Sequence, residues 1–409
     1  MGMGDIANSG MQAAMQNMSV ISNNIANAGT YAFKRSSISF TDLFPSGNNA
    51  SSVQIGLGVQ AVGTQQSMAP GGPSQTGLDT DMCIGGNGFF VLKNPNSGQV
   101  NYSRYGHFDF DKTNGYIMLG NSRLQGFPAV NGSVPSGSSP ADLHINTGMI
   151  SATPSTAVSQ NQLNLNPSDK VPVTTTFSPT DATSYNYTTT STIYDSLGTA
   201  NKLQLYYVKS STSNTWTVNA YVTTPQSASA TSVGTGTLTF NSNGTLNTST
   251  GLNALSFSPT SGAATPQVFS VNMTGATQSG TTYGASAFTV DGNTAGAYDH
   301  YTVDENGNVT ASYTNGQNLL VGQVAVATFQ SPQNLQNIGD QLWAPSTNSG
   351  AAFVNQMNSL NNVSQGALEL SNVDLATEMV SLINAQNAFQ ANAQVQQVFS
   401  QVMQTVTKL

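Results

Sequence analysis

The chain has 409 residues, of which only 7% are charged, against about 25% in an ordinary soluble protein. Its formal net charge is −8 with no basic cluster, which argues against a nucleic-acid partner, and no apolar run approaches the ~20 residues of a membrane span. Low charge also speaks against ordinary disorder, and the single cysteine, Cys83, excludes an intrachain disulfide framework. The N-terminal stretch lacks a basic region followed by a continuous apolar core, so it does not read as a cleavable secretory signal. The length predicts two to three domains, with ample chain for a core.

The first predicted element is a helix. Ala7, Met11, Ala14, Met18, Ile21 and Ile25 follow one another at alternating steps of four and three, a heptad seam of about three repeats. Asp5 is its only charge, favourably placed at the start, and Gly29 is a natural stop. Such a seam can lie on its own domain, or form a coiled coil with another helix of this chain or of other copies. From 30 to 72 the chain is polar and glycine-rich and reads as an extended connector, with short strands expected at 53–55 and 59–62.

From Leu78 the pattern turns to β. Phe89-Phe90-Val91-Leu92, 102–110 and 116–119 are strand-like, with a turn at Asp111-Lys112-Thr113-Asn114-Gly115. Residues 147–283 are Thr/Ser-rich with alternating runs at 188–194, 203–208 and 216–222, an all-β sandwich or barrel. Strands return at 301–303, 309–313 and 319–329 around the Asn306-Gly307 and Asn315-Gly316 turns.

The last stretch, 371–409, is a long helical pattern with no internal proline or glycine. A hydroxyl or amide in Ser371-Asn372-Val373-Asp374 can cap it, and Asp374 and Glu378 then complement the helix dipole. Its apolar residues split into two stripes. Leu375, Met379, Leu382 and Phe389 share one; Val395, Val398, Val402, Val406 and Leu409 make another, pointing roughly the opposite way. A helix lying on one core holds one stripe, so this one is expected to meet more than one neighbour, and its free ends to order on assembly.

Chemistry-bearing residues are sparse. His107, Asp109 and Asp111 alternate along one strand face, and Asp304, Asn306 and Asn308 begin like a calcium loop. The second set lacks the required glycine and the closing glutamate, and a strand entering a turn explains the first better. No P-loop or nucleophile elbow is present, so neither a catalytic residue nor a cofactor or metal site is expected.

Several segments carry a family resemblance. Asn23-Asn24-Ile25-Ala26-Asn27-Ala28 with Phe33-Lys34-Arg35, Asp81 to Phe90, Tyr102 to Phe108, Leu124-Gln125-Gly126-Phe127 and Gln365 to Leu375 resemble the bacterial flagellar rod/hook axial proteins. Ala32 stands where that family usually carries glycine. The 147–283 insertion, which shorter rod proteins lack, resembles the outer domain of the hook branch.

The resemblance implies an α+β, mainly β fold in which long N- and C-terminal helices form a coiled-coil-like stem and discontinuous all-β domains are inserted between them. The expected division is 1–29 with 366–409 as stem, 30–72 as connector, 73–146 with 284–365 as inner β domain, and 147–283 as outer domain. It further implies a non-enzymatic hook subunit that polymerises with itself into a flexible curved tube, a universal joint carrying torque from motor to filament. The implied partners are the distal rod protein, the hook cap, the hook–filament junction protein and the flagellar type III export apparatus. Its place would be extracellular, reached without a cleaved signal. A distal rod-type protein, or a secreted β-rich adhesin, is the alternative; an adhesin gives no reason for two nearly uncharged terminal helices.

Overall fold

The computed structural model describes residues 3–44, 56–227, 229–356 and 362–407. The chain is mainly β with two long helices, α1 (Met3–Ala26) and α2 (Leu375–Val406), one near each end. It falls into two compact units. One comprises 1–147, 300–311 and 319–409; the other comprises 148–299 and 312–318.

The β part of the first unit is a sheet whose central order is Asn318–Thr328, Ser122–Pro128, Phe89–Lys93, Val100–Ser103, Leu342–Ala344 and Gln336–Gly339. Phe89, Val91, Tyr102, Phe127, Ala325, Ala327, Leu335 and Trp343 build a core on this sheet. Phe89 and Trp343 meet edge to face with centroids 5.8 Å apart, an arrangement aromatic quadrupoles favour. Phe90 points the other way, against Phe108 at 5.0 Å. Ser36–Asp42 and Val59–Gln66 pair as an antiparallel ladder beside α1, so part of the expected connector is ordered sheet. The strand expected at 53–55 lies outside the described residues.

The second unit holds a five-stranded antiparallel meander, Tyr187–Tyr194, Ala200–Lys209, Thr215–Thr223, Thr231–Phe240 and Leu246–Thr250, in sequential order. Along Thr215–Thr223 burial alternates strictly, with Trp216, Val218, Ala220 and Val222 inward and polar or half-exposed residues outward. Period-two patterning therefore chose the buried face. Two smaller sheets, which carry Val158, Leu163, Leu165, Phe257, Phe269 and Val271, share one core with the inward residues of the meander. The segment is all β, as its alternating pattern implies.

This core sets a pH limit. Burial pushes Tyr283 up to about 12, and burial with the neighbouring Asp169 does the same to Tyr187. Tyr207, fully buried and bonded to Gln160 Oε1 at 2.8 Å, is raised further by burial. Above the ordinary value of 10 the unfolded chain releases these protons while the folded unit keeps them, so stability is whole below pH 10 and falls between about 10 and 12. In a Trp343→Phe chain, Trp216 alone reports this unit. Its melting midpoint is expected to be level up to pH 10 and to drop beyond it; a midpoint unchanged at pH 12 would refute the assignment.

Candidate assembly site

Helix α1 runs antiparallel along α2. A Cβ added to Gly4 would stand 2.8 Å from the Phe399 ring, and one added to Gly10 would stand 2.8 Å from the Asn392 amide. Asn24 at the far end donates to Glu378 Oε2 at 3.1 Å. The expected α1 seam is the covered one: Ala7, Ala14 and Ile21 are buried, and Met11, Met18 and Ile25 are half-buried. Small residues at positions 4, 7, 10 and 14 let the helices approach closely.

The seam of α2 is not either of the expected stripes. Its covered residues are Glu378, Leu382, Ala385, Phe389, Asn392, Gln396 and Phe399, again alternating steps of four and three. Leu382 and Phe389 of the first stripe belong to it. Leu375 and Met379, and Val395, Val398, Val402 and Val406, remain exposed, and Leu409 lies outside the described residues. A reading of apolar spacing alone missed this seam because Glu378, Asn392 and Gln396 are polar; a heptad count blind to polarity finds it.

What α2 leaves open carries large apolar side chains set among Asn, Gln and Ser. At about 100° per residue, Met379, Val380, Ile383 and Val398 point away from α1, and Val380, Ile383 and Val398 are 59%, 55% and 58% exposed. Because Phe399 is level with Gly4, α2 continues past the first described turn of α1, where Val402, Met403 and Val406 are also exposed. Among the described residues α1 and α2 are thus helical and paired over most of their length, and the outer face of α2 and its last turns lack cover.

At its root this helix pair is fixed by buried charge. Glu369 Oε1 takes Lys34 Nζ at 2.6 Å and the Gly71 N–H at 2.8 Å, while Oε2 takes Arg104 Nε at 2.7 Å. All three side chains are at most 1% exposed. Lys34 also donates to Ala69 O at 2.8 Å, and Arg104 donates to the carbonyls of Gly86 and Gly88. Burial lowers the Lys34 pKa, with Glu369 opposing and Arg104 reinforcing the shift. Cys83 is buried beside this cluster and its thiol is pushed up chiefly by that burial.

A second cluster adjoins it. Glu378, fully buried, pairs with Arg35 Nε and with Asn24, whose amide also exchanges bonds with Ser36 N and O at 2.9 and 2.8 Å. Glu378 is therefore an ion-pair partner as well as a dipole complement. Asp374, not a hydroxyl or amide, caps α2 by accepting from Thr377 N at 2.9 Å, and that bond holds its carboxyl below the ordinary range. The Asn372 amide instead joins Arg35 N at 2.7 Å to the carbonyls of Ser67 and Ala69.

Three segments match family models: residues 5–34 the flagella basal body rod protein, 161–293 the flagellar basal body protein FlaE D2 domain, and 364–409 the flagellar basal body rod FlgEFG protein C-terminal. Over 98% of both chains the sequence is 36% identical to the flagellar hook protein FlgE of Salmonella typhimurium and equally to that of Escherichia coli. The chain belongs to the flagellar hook protein FlgE family. Its FlgE relative from Borreliella burgdorferi is 27% identical over 98% of each chain. The crystal structure of Helicobacter pylori FlgE2 superposes with a TM-score of 0.53 over 72% of this chain and all of that one, at 15% identity, a likeness of fold.

The chain is thus a structural subunit of the flagellar hook that polymerises with itself, and not an enzyme. The adhesin and rod alternatives lose their basis, since these full-length relatives are hook proteins. Residues that carried the rod/hook axial-protein resemblance turn out to be the root: Asn24, Lys34 and Arg35 from one signature, Arg104 from another, Glu369 and Asn372 from a third. Ala32, where the family usually has glycine, keeps a left-handed backbone at φ 57° and gives its N–H to Glu369 O at 2.7 Å. The glycine shape is retained with a methyl group, at a cost of about 1–2 kcal/mol.

The other singled-out residues have local duties. His107 Nδ1 lies 2.6 Å from Asp81 Oδ1, while Asp111 accepts from Thr113 N and Asn114 N in its turn. Asp304 holds the Asn306-Gly307 hairpin by accepting from Asn306 N and Asn308 N, each at 2.9 Å. Among the described residues no group of three or more His, Cys, Asp or Glu is placed to hold a metal, and no helix is long and apolar enough to cross a membrane.

Proposed function

We propose that this hook subunit builds a curved, flexible tube that works as a universal joint between the motor and the filament. The paired α1 and α2 act in it as a coiled-coil-like stem, and the outward face of α2 is the main contact with neighbouring copies. The observation that carries this is the exposed cluster Met379, Val380 and Ile383, with Val398 on the same side about four turns further on, on a helix already paired along its other side. Burying apolar area is worth about 25 cal/mol per Å², so such a face drives association. Head-to-tail contacts that fail to close generate a helical filament.

The β units then form outer layers, with 147–283 outermost as the sequence division has it. A bent rotating tube must exchange its outer contacts every turn. Ser, Thr and Asn surfaces suit this, because a hydrogen bond exchanged with water changes the net energy by only about 1 kcal/mol. By family likeness the chain leaves the cell through the flagellar type III apparatus without a cleaved signal, lies outside the cell, and meets the distal rod protein, hook cap and hook–filament junction protein. Negative-stain microscopy of purified protein tests the reading. Curved tubes are expected from the full chain and none from a chain lacking 371–409; tubes from the shortened chain, or only single particles from the full one, would contradict it.

A further inference from the structure

Outside the helices, the second unit carries an apolar projection and an apolar cleft. Val173 is 92% exposed in the segment Lys170-Val171-Pro172-Val173, and Val171 is also exposed. This segment is held on both sides. Asp169 O takes Lys209 Nζ at 2.7 Å, Lys170 O takes Asn186 Nδ2 at 2.9 Å, and Thr174 Oγ1 meets Thr183 Oγ1 at 2.8 Å. Pro172 also confines Val171 to extended backbone, so the two valines are presented in a fixed shape.

The cleft has a volume of about 200 Å³ and is lined by Pro154, Ser155, Ala264, Pro266, Gln267 and Val268. That is below the roughly 300–1,000 Å³ of small-molecule sites and suits one or two side chains. Gln267 is 7% exposed; its amide nitrogen donates to Ser155 O and Tyr194 O, while its Oε1 has no partner. Thr156, on the rim, is bonded through N and Oγ1 to the exposed carboxylate of Asp291.

We propose that the 170–173 segment of one copy docks in this cleft of the next copy's second unit. Val173 enters between Pro266 and Val268, and Lys170 faces Asp291. The charge match selects a second copy as occupant: the projection carries a lysine, the rim an aspartate, and both lie on the same unit. Projection and cleft are different surfaces, so the contact runs head to tail and can propagate along a tube, and one side chain in a small cleft with one exposed ion pair is weak enough to be released and remade as the tube turns. The inference rests on the hook reading.

The native cysteine, Cys83, is buried, so introduced thiols can report the contact. Tubes of a Val173→Cys/Val268→Cys chain, mildly oxidised, are expected to give a ladder of covalent multimers, and each single variant none. Mixed tubes of the two single variants are expected to give dimers, which keeps the test open if the double variant folds poorly. Tubes without any such cross-link, or a disulfide within one chain, would overturn the contact and leave the hook reading standing. Failure of the parent chain to form tubes would fall on the hook reading itself.

Discussion

Replacing Glu369 by glutamine is expected to destabilise the first unit by about 3–5 kcal/mol, the usual cost of leaving a buried charge without its partner. Glu369 serves two fully buried cations, and glutamine satisfies neither Lys34 nor Arg104. Replacing Lys34 by methionine should behave differently. The Arg104–Glu369 pair stays balanced, Glu369 Oε1 keeps the Gly71 N–H, and an apolar chain fills the space with no charge to desolvate. Denaturant unfolding is expected to place Lys34→Met within about 1 kcal/mol of the parent and Glu369→Gln far below it. Equal losses in the two variants would contradict the one-anion, two-cation account of the root.

Gly106→Ala is the second large effect, at about 4 kcal/mol or more. A Cβ there would lie 1.6 Å from Met82 O and 2.7 Å from Met82 C, and neither can swing aside as a side-chain tip would. Met82 donates its N–H to Gly106 O at 2.9 Å, and its strand, Met82–Ile84, pairs with Val363–Gln365 just before the residues leading into α2. The methyl therefore separates the inner sheet from the segment that carries Glu369. The buried Cys83 thiol gives a direct readout. It is expected to become reactive towards a thiol reagent in Gly106→Ala while staying protected in the parent; a stable variant with a protected thiol would refute the close approach.

Sequence periodicity revealed what repeats locally. The α1 seam from Ala7 to Ile25 and the alternation around Trp216 could be read directly, because one side chain in each short period meets the same surface. The Asn306-Gly307 turn was legible for a similar reason, its bonds lying within four residues of Asp304. The root was not. Lys34 and Arg104 reach Glu369 across 335 and 265 residues, and no local pattern encodes so distant a pairing. The family resemblance flagged the residues without saying that they meet. The α2 seam was hidden because its polar members, Glu378, Asn392 and Gln396, break the apolar pattern, which is more regular among the exposed valines.

The central claim is that the outward face of α2 makes the polymer. It is tested most directly by sedimentation and electron microscopy of a Val380→Glu/Ile383→Glu chain beside the parent. Both side chains are more than half exposed in the single subunit, so the change should cost the monomer no more than about 0.5 kcal/mol per site. The account predicts a monomer that melts like the parent and forms no tubes. Tubes of ordinary length and curvature from this variant would contradict it.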